Sequence, residues 1–114
     1  MRFPLAFLFF VIVSANANAA SPPESAQSQI KAYLENYLAD PYSARYTFDV
    51  WFGPTKTNYY VACGTVNAKN QFGAYTGKRL WHANFHNGII TNIDVPEPLL
   101  VDLYKYSCDR SKYD

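Results

Sequence analysis

Several things are scarce in this chain, and each scarcity removes a class of function. Charge of one sign is the first. Ten Lys and Arg face nine Asp and Glu across 114 residues. Nucleic-acid binding and attachment to a membrane surface both need a positive field, so this balance argues against both. Residues 20–114 also lack an apolar run long enough to span a bilayer. There is no G-x-S-x-G, no phosphate-binding loop and no dinucleotide fingerprint, and Asp49, Asp94 and Glu97 are scattered. No catalytic residue and no cofactor site is expected. Only two histidines are present. If His82 and His86 share a strand, their Cβ atoms stand roughly 13 Å apart, too far for two bonds of about 2 Å to one zinc ion. No metal site is expected.

Cysteine is scarce as well, and its placement is informative. The first cysteine is Cys63, so no cysteine follows the N-terminal apolar run and a lipoprotein anchor is not expected. Residues 1–19 read as an export signal. Met1-Arg2 is the positive start, residues 3–13 are apolar and broken by Pro4, and Ala17-Asn18-Ala19 fits an A-x-A cleavage site. Cleavage after Ala19 leaves 95 residues and removes Arg2, so nine cations then face nine carboxylates. The product is expected in the periplasm or outside the cell, as one small domain over residues 20–114. In an oxidising compartment two cysteines pair, and Cys63–Cys108 is the expected disulfide. The competing reading is a nucleophilic Cys63 with His82 or His86 as its base.

What is abundant is aromatic residue: ten Tyr, eight Phe and two Trp. These supply large buried areas to a domain whose surface-to-volume ratio leaves little stability to spare. Ser21-Pro22-Pro23-Glu24 has the form of a capping box opening a helix. Ala26, Ile30, Tyr33, Leu34, Tyr37 and Leu38 continue it at helical spacing to about Ala39, and Asp40-Pro41 stops it. Tyr46, Phe48, Val50 and Phe52 alternate as the helix-facing side of a first strand. A second strand over 58–68 places Tyr59, Val61, Cys63 and Thr65 on one face; Gly64 within it marks a bulge or a close approach. Residues 70–78 form a loop. A third strand over 79–86 turns at Asn87-Gly88 into a fourth over 89–95. Counting from that turn pairs Phe85 with Ile90 and Ala83 with Asn92, and puts Ile93 on the His82 face. Pro96 and Pro98 open a last helix with Leu99, Leu100, Leu103, Tyr104 and Tyr106 as its buried stripe. The fold class is therefore α+β: an N-terminal helix, a four-stranded antiparallel sheet, a C-terminal helix and one disulfide.

The stretch from Cys63 to Leu80, CGTVNAKNQFGAYTGKRL, is the most distinctive. Asn67, Lys69 and Asn70 are polar, Phe72 and Tyr75 are loop aromatics, and Trp81 follows. Aromatics among Asn and Gly are what a recognition loop uses, so these six are the candidate binding residues. The alternative is a structural loop whose aromatics tuck onto the core.

DPYSARY at 40–46 together with CGTVNAKNQFGAYTG at 63–77 resembles a family of small exported proteins of Gram-negative bacteria. Its members carry a signal peptide or lipobox, a helix ending in D-P-x-S-A, and a strand with C-G-x-V-N-A-K-N-x-F-G-x-Y-T-G. The resemblance covers most of the chain after residue 19. This chain departs from it in having no lipobox and in having Ala74 where a further Gly is expected. The matching positions are Asn67, Lys69, Asn70, Phe72, Gly73, Tyr75 and Gly77. The resemblance implies compartment and fold, and no catalytic residue. Expected partners are a protein, such as a hydrolase to be inhibited, or an envelope polymer. A small thiol- or His-dependent hydrolase and a structural accessory of a surface assembly are the alternatives.

Overall fold

The computed structural model describes residues 20–113. The expected export signal, residues 1–19, lies outside them. The described chain is α+β. A helix, α1 (Glu24–Glu35), precedes four strands, β1 (Arg45–Phe52), β2 (Tyr60–Asn67), β3 (Arg79–His86) and β4 (Ile89–Asp94), and a short helix, α2 (Val101–Ser107), follows them. The strands form one antiparallel sheet in the order β1-β2-β3-β4.

The helix α1 covers one face of the sheet. Ala26, Ile30 and Leu34 are its buried positions, one helical turn apart, and they meet Ala62, Val66, Trp81, Ala83, Phe85 and Ile90. Tyr33 and Tyr37 are exposed, so the buried stripe is narrower than the sequence spacing predicts. The expected capping box does not form. The residue preceding the helix is Pro23, and the Ser21 hydroxyl instead donates to the Phe48 carbonyl at 3.3 Å. The helix also ends at Glu35 rather than near Ala39, in a turn where Tyr37 and Leu38 N–H both donate to the Leu34 carbonyl. Gln29 ties α1 to the β3–β4 turn: its side chain donates to the Gly88 carbonyl and accepts from Ile90 N–H.

Two bulges revise the expected faces. In β1, Phe48 pairs with Gly64 and Val50 with Cys63, leaving Asp49 as an extra residue. An extra residue reverses alternation beyond it. Tyr46 and Phe48 face α1 as expected, but Trp51 replaces Val50 and Phe52 there. Val50 and Phe52 join Val61, Cys63, Cys108 and Tyr113 on the other face. In β4, His86 pairs with Ile89 and Phe85 with Ile90, but Asn84 then pairs with Asn92 and Ala83 with Ile93. Thr91 is the extra residue, so Ile93 turns to the α1 side and the expected Ala83–Asn92 pair is absent. The turn itself is as expected, with Asn87 and Gly88 at φ 51° and 78°.

The disulfide Cys63–Cys108 is present and joins β2 to the end of α2 across the second face. The expected buried stripe of α2 is not. No residue of α2 is fully buried; Leu99 is 96% and Leu103 68% exposed. The sheet face on that side carries Thr65, His82 and Asn84 among its apolar Val61 and Cys63.

Candidate functional site

The candidate loop begins where β2 ends. Asn67 closes its base by accepting from Gly77 N–H at 3.1 Å. Inside it, the Asn70 side-chain oxygen accepts from Phe72 N–H at 2.9 Å and Ala74 N–H at 3.2 Å. Asn70 N–H donates to the Ala74 carbonyl, and Gly73 N–H to the Asn70 carbonyl. An Asn side chain holding its own turn this way is a common device for fixing a tight loop.

The loop is also clasped from outside. The Ser43 hydroxyl accepts from Lys69 N–H at 2.8 Å, and the Ser43 carbonyl accepts from the Tyr75 hydroxyl at 3.0 Å. Ser43 sits in a single 3-10 turn, Pro41–Ser43, between α1 and β1. The D-P-x-S-A segment and the K-N-x-F-G-x-Y segment therefore hold each other. Tyr75 is half-buried, with the Arg45 guanidinium 4.3 Å and the Lys69 ammonium 5.6 Å from its ring centre. A cavity of about 190 Å³ separates the loop from the end of α1, lined by Leu38, Ala68, Lys69, Asn70 and Arg79 among others.

The six candidates thus separate. Asn67 and Asn70 hold the backbone. Lys69 and Tyr75 pack against each other and against Ser43. Phe72 alone projects, 84% exposed. Trp81 leaves the set: it is fully buried in the α1-facing core, and its indole N–H donates to the Thr65 carbonyl at 3.1 Å. A residue buried there cannot touch a partner.

Acid–base chemistry has little to work with. Cys63 is in the disulfide. His86 bonds to the Asn58 carbonyl through Nδ1 at 3.0 Å and lies against Tyr59. A cavity of about 420 Å³ is lined by uncharged residues including Tyr59, Asn84, Asn92 and Tyr113, and another of about 380 Å³ has Asp49, Asp109 and Arg110 in its wall. Among the described residues no group of three or more His, Cys, Asp or Glu is placed to hold a metal ion, and no helix is long and apolar enough to cross a membrane.

His82 is the anomaly. Sequence spacing singled it out only as a metal or base candidate. It is 6% exposed, faces Tyr104 edge-on at 5.8 Å, and neither ring nitrogen has a hydrogen-bond partner. Burial holds its pKa below the ordinary 6.5, opposed by the charge of Asp94. The consequence for stability has a definite sign. Above pH 6.5 the ring is neutral both folded and unfolded. Below it the unfolded chain takes up a proton that the folded chain refuses, so stability falls as pH falls, by at most about 1.4 kcal/mol per pH unit. Thermal melts at about pH 7.5 and about pH 5 are expected to differ less in His82→Leu than in the unaltered protein. An equal difference in both would remove His82 as the cause.

No protein-family model, no curated protein and no solved structure matches the chain.

Proposed function

We propose that the chain is an exported, non-enzymatic binding protein of the cell envelope or exterior, meeting a protein or envelope polymer through residues 67–77. Phe72 carries this reading. A large apolar side chain stands 84% exposed on a loop whose backbone is fixed by hydrogen bonds from Asn67, Asn70 and Ser43. A mobile loop would lose freedom on binding; one fixed beforehand keeps more of its contact energy as affinity. Exposed aromatics on such supports are the residues that dominate interfaces. The disulfide supports an oxidising compartment, as does the resemblance to small exported proteins of Gram-negative bacteria. Inhibition of a hydrolase is one form this binding would take.

The test is retention on isolated outer-membrane and peptidoglycan fractions. Phe72→Ala is expected to weaken retention at least about tenfold, the loss of one anchor residue. Its stability should change by less than about 0.5 kcal/mol, because the side chain packs on little. Equal retention of the two proteins would overturn the reading.

A second reading, a structural accessory of a surface assembly, is favoured by the exposed Leu99, Leu100, Leu103 and Tyr106. It assigns the contact to the α2 region, so Phe72→Ala would leave it intact.

A further inference from the structure

Cys63, His82 and Asp94 stand in one cross-strand row. Cys63 on β2 is directly opposite His82 on β3, and His82 is directly opposite Asp94 on β4. Directly opposed residues share a face, with Cβ atoms about 4.5–5.5 Å apart. Sulfur, imidazole and carboxylate therefore occupy one strip of the sheet, in the order that an activated thiol requires. Packing gives no reason for the imidazole. Both its nitrogens are buried and unpartnered, and an apolar side chain would fill the place without forfeiting the hydrogen bonds that water supplied.

The row is covered by α2. Tyr104 lies edge-on to His82, and the disulfide pins the end of the helix to Cys63 itself. The groups around the ring are thus Cys63, Asp94 and Tyr104, with the cations Lys78, Arg79 and Lys105 lining a cavity beside Thr65 and Leu80. Asp94 is itself oriented, since its Oδ2 accepts from the Asn92 amide at 3.2 Å. Cys63 is 2% exposed, whereas Cys108 is only half-buried. Because α2 buries no residue fully, its hold on the sheet depends heavily on that bond.

We propose that this row is a thiol site masked by the disulfide, and that the Cys63–Cys108 bond exchanges with the dithiol of a partner protein. The incoming thiolate attacks Sγ of Cys108, the accessible end. A mixed disulfide forms there, the Cys63–Cys108 bond breaks, and the electron pair leaves on Cys63 Sγ. His82, directly opposite on β3, bonds to no sulfur in the closed form and takes a share of the Cys63 proton once the row opens; Asp94 is a positioning residue that offsets the charge on the ring. A better-stabilised leaving thiolate departs faster. The partner's second thiolate then attacks the mixed disulfide and frees Cys108. The partner's dithiol has become a disulfide, and this chain has gained two electrons and two protons as two thiols. Release of α2 opens the row to solvent, with Cys63 as the reactive thiol. This site is separate from the 67–77 loop and does not depend on the binding reading.

The test is alkylation of the reduced protein. The whole exported chain is reduced with a phosphine, confirmed as folded by near-ultraviolet circular dichroism, and treated with limiting iodoacetamide over a range of pH. Mass spectrometry then reports each cysteine separately. At about pH 6 Cys63 is expected to react at least about tenfold faster than Cys108, because release of α2 rehydrates His82, which then takes up a proton and steadies the neighbouring thiolate. His82→Gln should abolish that advantage, and Asp94→Asn should shift its pH profile. If His82→Gln does not fold, the Cys63-to-Cys108 ratio in the unaltered protein and the Asp94→Asn profile decide. Equal rates overturn the proposal. So do an unreactive Cys63 in a folded sheet, an advantage that survives His82→Gln, a profile unmoved in Asp94→Asn, and a reduced protein that unfolds.

Discussion

Replacing Gly64 with alanine is expected to destabilise the protein by at least about 4 kcal/mol, the range reached only when a substitution has no room to relax. A Cβ on Gly64 would lie 1.9 Å from the Thr47 carbonyl oxygen and 2.6 Å from Trp81 Cζ2. A flexible side-chain tip can move aside, but here the first obstacle is the backbone of β1. The second is the indole at the centre of the core, held by its bond to Thr65. The strands must therefore separate beside the β1 bulge, where Phe48 pairs with Gly64. At about 4–8 °C per kcal/mol for a domain of this size, the melting temperature should drop by roughly 20 °C or more. A Gly64→Ala protein melting within a few degrees of the original would mean that β1 and β2 do not approach this closely.

The second large effect is loss of the disulfide. Cys63 and Cys108 are 45 residues apart, and closing a loop of that length in the unfolded chain is worth about 4 kcal/mol in the chain-entropy model. Cys63→Ala combined with Cys108→Ala should lower the melting temperature by about 20 °C. The loss should not be uniform. The core between α1 and the sheet, built on Ile30, Leu34, Trp81 and Phe85, contains neither cysteine and should persist. Amide exchange in α2 should rise far more than in β2 and β3, since α2 has no buried residue of its own. Retention through Phe72 should survive, because the 67–77 loop is fixed by Ser43 and its own asparagines. Equal protection of α2 with and without the disulfide would show that packing alone holds the helix.

The parts of this structure legible in the sequence were those with a local chemical cause. Asn87-Gly88 specifies its turn, Gly64 marks a close approach, and the chain's two cysteines pair. The bulges at Asp49 and Thr91 were not legible. In β1 Tyr46, Phe48, Val50 and Phe52 alternate regularly with Arg45, Thr47, Asp49 and Trp51, and nothing in Asp49 announces that it will go unpaired and bring Trp51 to the core. In β4, counting from the turn is sound for Ile89 and Ile90 and fails one residue later, because nothing in Thr91 announces that it will go unpaired. The leucines of the last helix had helical spacing, but spacing cannot show that Thr65, His82 and Asn84 interrupt the facing sheet surface. The loop aromatics make the same point. Phe72 and Tyr75 are three residues apart and alike in hydropathy context, yet one projects and one tucks in. The difference is the Ser43 carbonyl, 32 residues away from Tyr75 in sequence, which only a hydroxyl-bearing ring can reach.

Both bulges lie in the outer strands of the sheet, β1 and β4. An outer strand exposes a row of unpaired N–H and C=O groups, and a straight row is a template for another copy of the chain. Each bulge interrupts that row and increases local twist, so neither margin offers a long regular ladder. The irregularities that hid the register from the sequence therefore also shorten the regular ladder that either edge presents. For a chain rich in tyrosine and phenylalanine, that makes edge-to-edge pairing of two folded sheets less favourable.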